Sequence, residues 1–105
     1  MIIYQVEVTV PADLVEQWLD YMTSHHIDDV VNTGMFTSSE LVRVVDPSSA
    51  EHAVFRVRYS CESHEKLTRY RSEFAPELMA DHTRIFGDRV SAVRTVTEQV
   101  WSTRR

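Results

Sequence analysis

Residues 2–10 alternate: Ile2, Tyr4, Val6, Val8 and Val10 fall on one side, and Gln5, Glu7 and Thr9, with Ile3 before them, on the other. That period of two predicts a half-buried strand. Pro11 ends it by removing a ladder donor, and its fixed φ suits the first turn of a helix. Asp13 and Glu16 follow near the positive helix end, where carboxylates are favoured. A helix is therefore expected over about 12–31, stopped near Gly34. At about 100° per residue, Leu14, Val15, Leu19 and Met22 share one stripe with Trp18. His25 and His26 border that stripe, whereas Ile27 falls opposite, which predicts a break or phase change after His26.

A second strand is expected over 35–46, closed by the turn residues Asp46-Pro47-Ser48-Ser49. The third strand is clearer: Ala53, Phe55, Val57, Tyr59 and Cys61 share one face, and His52, Arg56, Arg58 and Ser60 take the other. Ser63 is a good N-cap for a second helix with Leu67, Tyr70 and Phe74 on its inner stripe. Pro76 should push Ala75 out of the helical region and break or kink the helix there. The restarted piece carries Leu78, Met79, Ile85 and Phe86 on one stripe with His82 at its centre, and Gly87 is placed to cap it. The last strand, about 89–101, puts Val90, Ala92, Val96 and Val100 on one face together with Arg94 and Glu98.

The order β-α-β-β-α-β predicts an α+β chain of ferredoxin-like architecture, a four-stranded antiparallel sheet with two helices on one face. With no linker, repeat or low-complexity tract, residues 1–105 read as a single domain. The face away from the helices would hold Gln5, Glu7, Thr9, Arg56, Arg58, Thr97, Gln99 and Trp101. Packing two copies through that face would cover Trp101 and let Glu7 of one copy meet Arg56 or Arg58 of the other, so a homodimer is expected.

Composition narrows the function classes. The chain is 43% apolar and 26% charged, with net charge −5, which disfavours nucleic acid and anionic membrane as partners. The charge is uneven. Residues 1–52 hold nine acids against one base, and residues 53–105 hold ten bases against seven acids, so the two halves suit docking on each other. Cys61 is the only cysteine, which fits a reducing compartment. No apolar run approaches a membrane span, and Met1-Ile2-Ile3-Tyr4 lacks the basic start of a signal peptide. A cytoplasmic location is expected.

The stretches Trp18-Leu19-Asp20-Tyr21-Met22, His26-Ile27, Thr33-Gly34 and Tyr59-Ser60-Cys61-Glu62-Ser63 carry a resemblance across the whole chain. Leu67, Tyr70, Ala75-Pro76, His82, Phe86-Gly87-Asp88 and Ala92-Val93-Arg94-Thr95 complete it. Together they resemble a bacterial family of short proteins known only as a conserved domain of unknown function and related to the dimeric α/β-barrel superfamily. The resemblance implies the fold and a dimer, and no established activity. Where that family often has Glu before the histidine and Pro after the isoleucine, this chain has His25 and Asp28. Aromatic positions near Val90 and Val93 are valine here, which would enlarge or reshape a cavity.

The chemistry is expected in the wedge between the helices and the sheet, where Trp18, Met22, His26, Tyr59, Tyr70, His82 and Arg94 converge. His26 and His82 suit proton transfer near neutral pH. Trp18, Met22, Tyr59 and Tyr70 would wall a ligand. A buried Arg94 needs an acceptor, whether Glu98, Glu62 or a bound anion. Cys61 reads as a small buried hydrophobe rather than a nucleophile. No metal cluster and no Gly-rich phosphate loop is expected. Three functions follow. The first is a small-molecule-binding homodimer, with or without cofactor-free catalysis, that takes an apolar, weakly acidic organic compound. The second is haem binding, since haem-degrading monooxygenases of the same superfamily carry a ligating His on the second helix, where His82 lies. The third is a non-catalytic interaction or regulatory subunit, expected if side chains fill the wedge.

Overall fold

The computed structural model describes residues 1–104. Its four strands are β1 (Ile2–Pro11), β2 (Ser38–Arg43), β3 (His52–Cys61) and β4 (Ser91–Glu98). They form one antiparallel sheet in the order β2-β3-β1-β4. The two helical segments run over 15–31 and 64–86, which completes the ferredoxin-like β-α-β-β-α-β arrangement. The inward set is the one the alternation gave: Tyr4, Val8 and Val10 of β1 and Phe55, Val57, Tyr59 and Cys61 of β3 are all buried. Among the described residues no helix is long and apolar enough to cross a membrane.

Neither helix breaks where the sequence suggests. Each contains one wider π turn, Met22–His26 in the first and Tyr70–Phe74 in the second. Ile27 N–H reaches back to Met22 O, and Ala75 N–H to Tyr70 O, five residues instead of four. The phase change after His26 is thus real, but the helix absorbs it with one extra residue. The hydroxyls of Thr23 and Ser24 fold back onto the carbonyls of Leu19 and Asp20 and support the widened turn. Ala75 stays helical, at φ −59° and ψ −40°, because the ladder has already stepped to the longer spacing before Pro76 would have to donate. Ser63 caps the second helix as expected, its hydroxyl accepting from Lys66 N–H at 3.2 Å.

The stripe on the second helix is narrower than predicted. Ala75 and Phe86 are buried, but Met79 and Ile85 are exposed. The last strand is shorter than expected and exposed along its full length, since neither helix reaches over it. Gln99 and Trp101 lie beyond its end, and Trp101 is 79% exposed. Arg94 is consequently not buried. It lies opposite Val6 of β1, hence on the helix side of the sheet, but where that side is bare. That explains why Arg94 and Glu98 could occupy an apparently apolar face.

On the open face, Glu7 pairs with Arg56 of its own chain at 2.9 Å, directly across β1 and β3. Glu7 thus has an arginine partner within its own chain. Arg58 is likewise held by Gln5 at 2.9 Å and Glu40 at 3.2 Å. With Arg89–Asp13 at 3.0 Å, these pairs join the acidic first half of the chain to the basic second half.

Candidate functional site

All seven side chains singled out from the sequence, Trp18, Met22, His26, Tyr59, Tyr70, His82 and Arg94, line a single cavity of about 240 Å³. The wedge is therefore open rather than filled. Its floor is β1 and β3 and its mouth lies towards β4, where Ala92 and Arg94 sit uncovered. The volume lies just under the ~300–1,000 Å³ of pockets for drug-sized ligands, so a fitting occupant is small.

The π turns matter here: His26 is the last residue of the first and Tyr70 the first residue of the second. His26 and His82 then face each other edge to face, with ring centroids 5.9 Å apart. Their hydrogen bonds give both rings the same tautomer but engage opposite nitrogens. The indole N–H of Trp18 donates to His82 Nε2 at 3.0 Å, so neutral His82 carries its proton on Nδ1. Tyr21 has one hydroxyl proton and gives it to Asp81 Oδ2 at 2.8 Å. It can meet His26 Nδ1, 3.4 Å away, only as an acceptor. His26 thus holds its proton on Nδ1 and leaves Nε2 as a lone pair. One imidazole offers a base and the other an N–H donor.

Electrostatics keeps both rings neutral. Burial lowers the pKa of His26, and Arg94 adds to that, while Asp29 and Asp81 pull the other way. His82 is pushed down to about 4 by burial, then by His26 and Arg94, against Asp81. Burial raises Tyr59 well above the usual phenol range and Tyr70 up to about 12, so both stay protonated. Arg94 acts on His26, His82 and Tyr70 alike, yet makes no ion pair or hydrogen bond with another described residue. Neither Glu98 nor Glu62, its two expected partners, reaches it; Glu62 is held instead by Lys66 at 3.5 Å.

Tyr21, Asp81 and Tyr4 also shape the site. Tyr21 lay just off the apolar stripe as drawn, and nothing in sequence links it to Asp81, sixty residues away. Tyr4 looked like one more inward residue of β1, although a phenol amid Ile and Val was a usable signal. His25, which bordered the same stripe, is exposed and does not line the cavity. No group of three or more His, Cys, Asp or Glu that could hold a metal exists among the described residues. Haem fits poorly: the His82 nitrogen that would ligate iron through Nε2 already accepts from Trp18.

Comparison with solved structures supports the fold. An ethyl tert-butyl ether d (ethd) family protein from Bacillus halodurans C-125 superposes with TM-score 0.70 at 13% identity, over 95% of this chain and 100% of that one. A provisionally assigned monooxygenase from Shewanella loihica PV-4 gives 0.54 at 13% identity, over 96% of each chain. The de novo designed protein Foldit4 gives 0.59 at 10% identity, over 93% of this chain and 97% of that one. A designed chain scoring between two natural ones shows that likeness of this degree reports architecture alone. No curated protein matches the sequence. The family model for a domain of unknown function, DUF4286, matches residues 1–100, and the chain belongs to that family.

Proposed function

We propose that this protein binds a small, apolar, weakly acidic organic molecule in the cavity, and that His26 accepts its proton without a cofactor. One observation carries the reading: two neutral imidazoles border the same cavity, His26 with its Nε2 lone pair unengaged and His82 with its Nδ1–H unengaged. The acidic bond of the ligand breaks, its electron pair stays on the ligand, and the proton passes to Nε2 of His26. His82 donates through Nδ1–H to the charge that develops, and Arg94 stabilises the anion. Trp18 and Met22 supply apolar walls.

A thermal-shift screen of phenols, organic acids and flavins on wild type and His26→Ala tests this. Ligand at about 100 times its Kd raises stability by ~2.7 kcal/mol. If no small acid shifts the wild type, or if each shifts His26→Ala equally, the reading is wrong.

Self-association through the open sheet face belongs to the same proposal. Glu7 and Arg56 neutralise each other within the chain, and Val93, 64% exposed, lies across from Glu7 on that face. The face is thus less costly to bury than its composition suggests. A monomeric mass by light scattering at micromolar concentration would refute it.

A further inference from the structure

Tyr4, Tyr59 and Tyr70 are only 2–4% exposed, and all three line the cavity. None of their hydroxyls bonds to another described residue, yet no buried polar side-chain atom is left without a partner. The three oxygens therefore each keep some accessible surface, and all three residues stand in the wall of the cavity. The rings cluster: Tyr4 lies 6.2 Å from Tyr59 and 6.0 Å from Tyr70 between centroids. Burying a hydroxyl without a partner costs several kcal/mol in an apolar setting. A fold that needed only hydrophobic bulk at these positions would do better with phenylalanine.

The charge around them is one-sided. The cavity wall contains the Arg94 guanidinium and no carboxylate, and Arg94 acts on Tyr70 as well as on the imidazoles. A second guanidinium, Arg71, stands over the Tyr4 ring at 5.2 Å. With net charge −5 the whole molecule does not attract anions, so any preference for one must arise locally. Three O–H donors and a guanidinium suit a carboxylate, whose two oxygens accept up to four hydrogen bonds.

We propose that Tyr4, Tyr59, Tyr70 and Arg94 form a carboxylate subsite, and that the ligand class is a small hydroxylated aromatic acid of the hydroxybenzoate type. The carboxylate rests on the tyrosine hydroxyls, the ring lies against Trp18 and Met22, and the phenolic O–H faces His26. The proposal deepens the function proposed above and rests on it.

Titration calorimetry with 4-hydroxybenzoate, 3-hydroxybenzoate, benzoate and phenol tests it on wild type, Tyr59→Phe, Tyr70→Phe and His26→Gln. At least one hydroxybenzoate should bind more tightly than benzoate or phenol. Each Tyr→Phe change should weaken the carboxylates about tenfold, as expected for one hydrogen bond to a charged group, and leave phenol unchanged. His26→Gln should weaken phenol and the hydroxybenzoates and spare benzoate. A second readout separates binding from structure: because these hydroxyls hold up nothing in the fold, the free Phe variants should melt no lower than wild type. Carboxylate affinity unchanged in both Phe variants, or a melting point lowered in both, overturns the subsite. Binding of phenol but not benzoate overturns it too, yet leaves His26 as the base. If none of the four probes binds, both readings fall.

Discussion

Acidification should weaken this fold through His82 in a way that its glutamine variant does not share. In the folded chain His82 resists protonation until about pH 4, whereas an unfolded histidine titrates near ~6.5. Between those values the unfolded chain holds more protons, so stability falls as pH falls, and the contribution is complete only above about 6.5. The full depression corresponds to roughly 3.4 kcal/mol at ~1.36 kcal/mol per pH unit. The ring borders an open cavity and solvent screens it, which reduces the expected effect to about 1–2 kcal/mol. Trp18, Tyr21, His26, Phe86, Asp81 and Arg94 surround it, and of these only Asp81 favours the proton. His82→Gln keeps an acceptor for the Trp18 indole and removes the titration. Urea unfolding followed by the fluorescence of buried Trp18 should show wild type losing about 1–2 kcal/mol more than the variant between pH 7.5 and 4. Equal losses, or an NMR midpoint for His82 at or above 6.5, would refute the assignment of a neutral ring held by Trp18.

Tyr21→Phe removes the acceptor that holds the proton on Nδ1 of His26 and the donor to Asp81. It should cost about 1–2 kcal/mol and shift the imidazole ¹⁵N signals of His26 towards a mixture of tautomers. Trp18→Phe shrinks a fully buried ring and strands His82 Nε2; a loss of about 2–4 kcal/mol in urea unfolding is expected. Ser63→Ala deletes the cap on Lys66 N–H and should cost about 1 kcal/mol, read by the same assay. Glu7→Gln breaks a half-exposed pair with Arg56 and should change stability by less than about 1 kcal/mol, an effect that fades in high salt.

The order of elements along the chain, both helices, the Ser63 cap and the inward faces of β1 and β3 follow from short-range rules, because alternation, helical spacing and turn residues act over a few positions. His26, His82, Trp18, Met22, Tyr59, Tyr70 and Arg94 were legible as neighbours for the same reason: once the faces are assigned, the topology aims them into one wedge. Tertiary packing decided the rest. Whether a phase slip breaks a helix or becomes a π turn depends on what the next turn packs against, so Pro76 and Ile27 could not settle it. Arg94 is exposed because the helices cover β1 and β3 and stop short of β4, a matter of where two rods lie on a sheet. Glu7 found Arg56 in its own chain because strand register set them opposite one another. The protonation states of the two histidines depend on Trp18, and on Asp81 acting through Tyr21 from the other helix, contacts that no local pattern encodes.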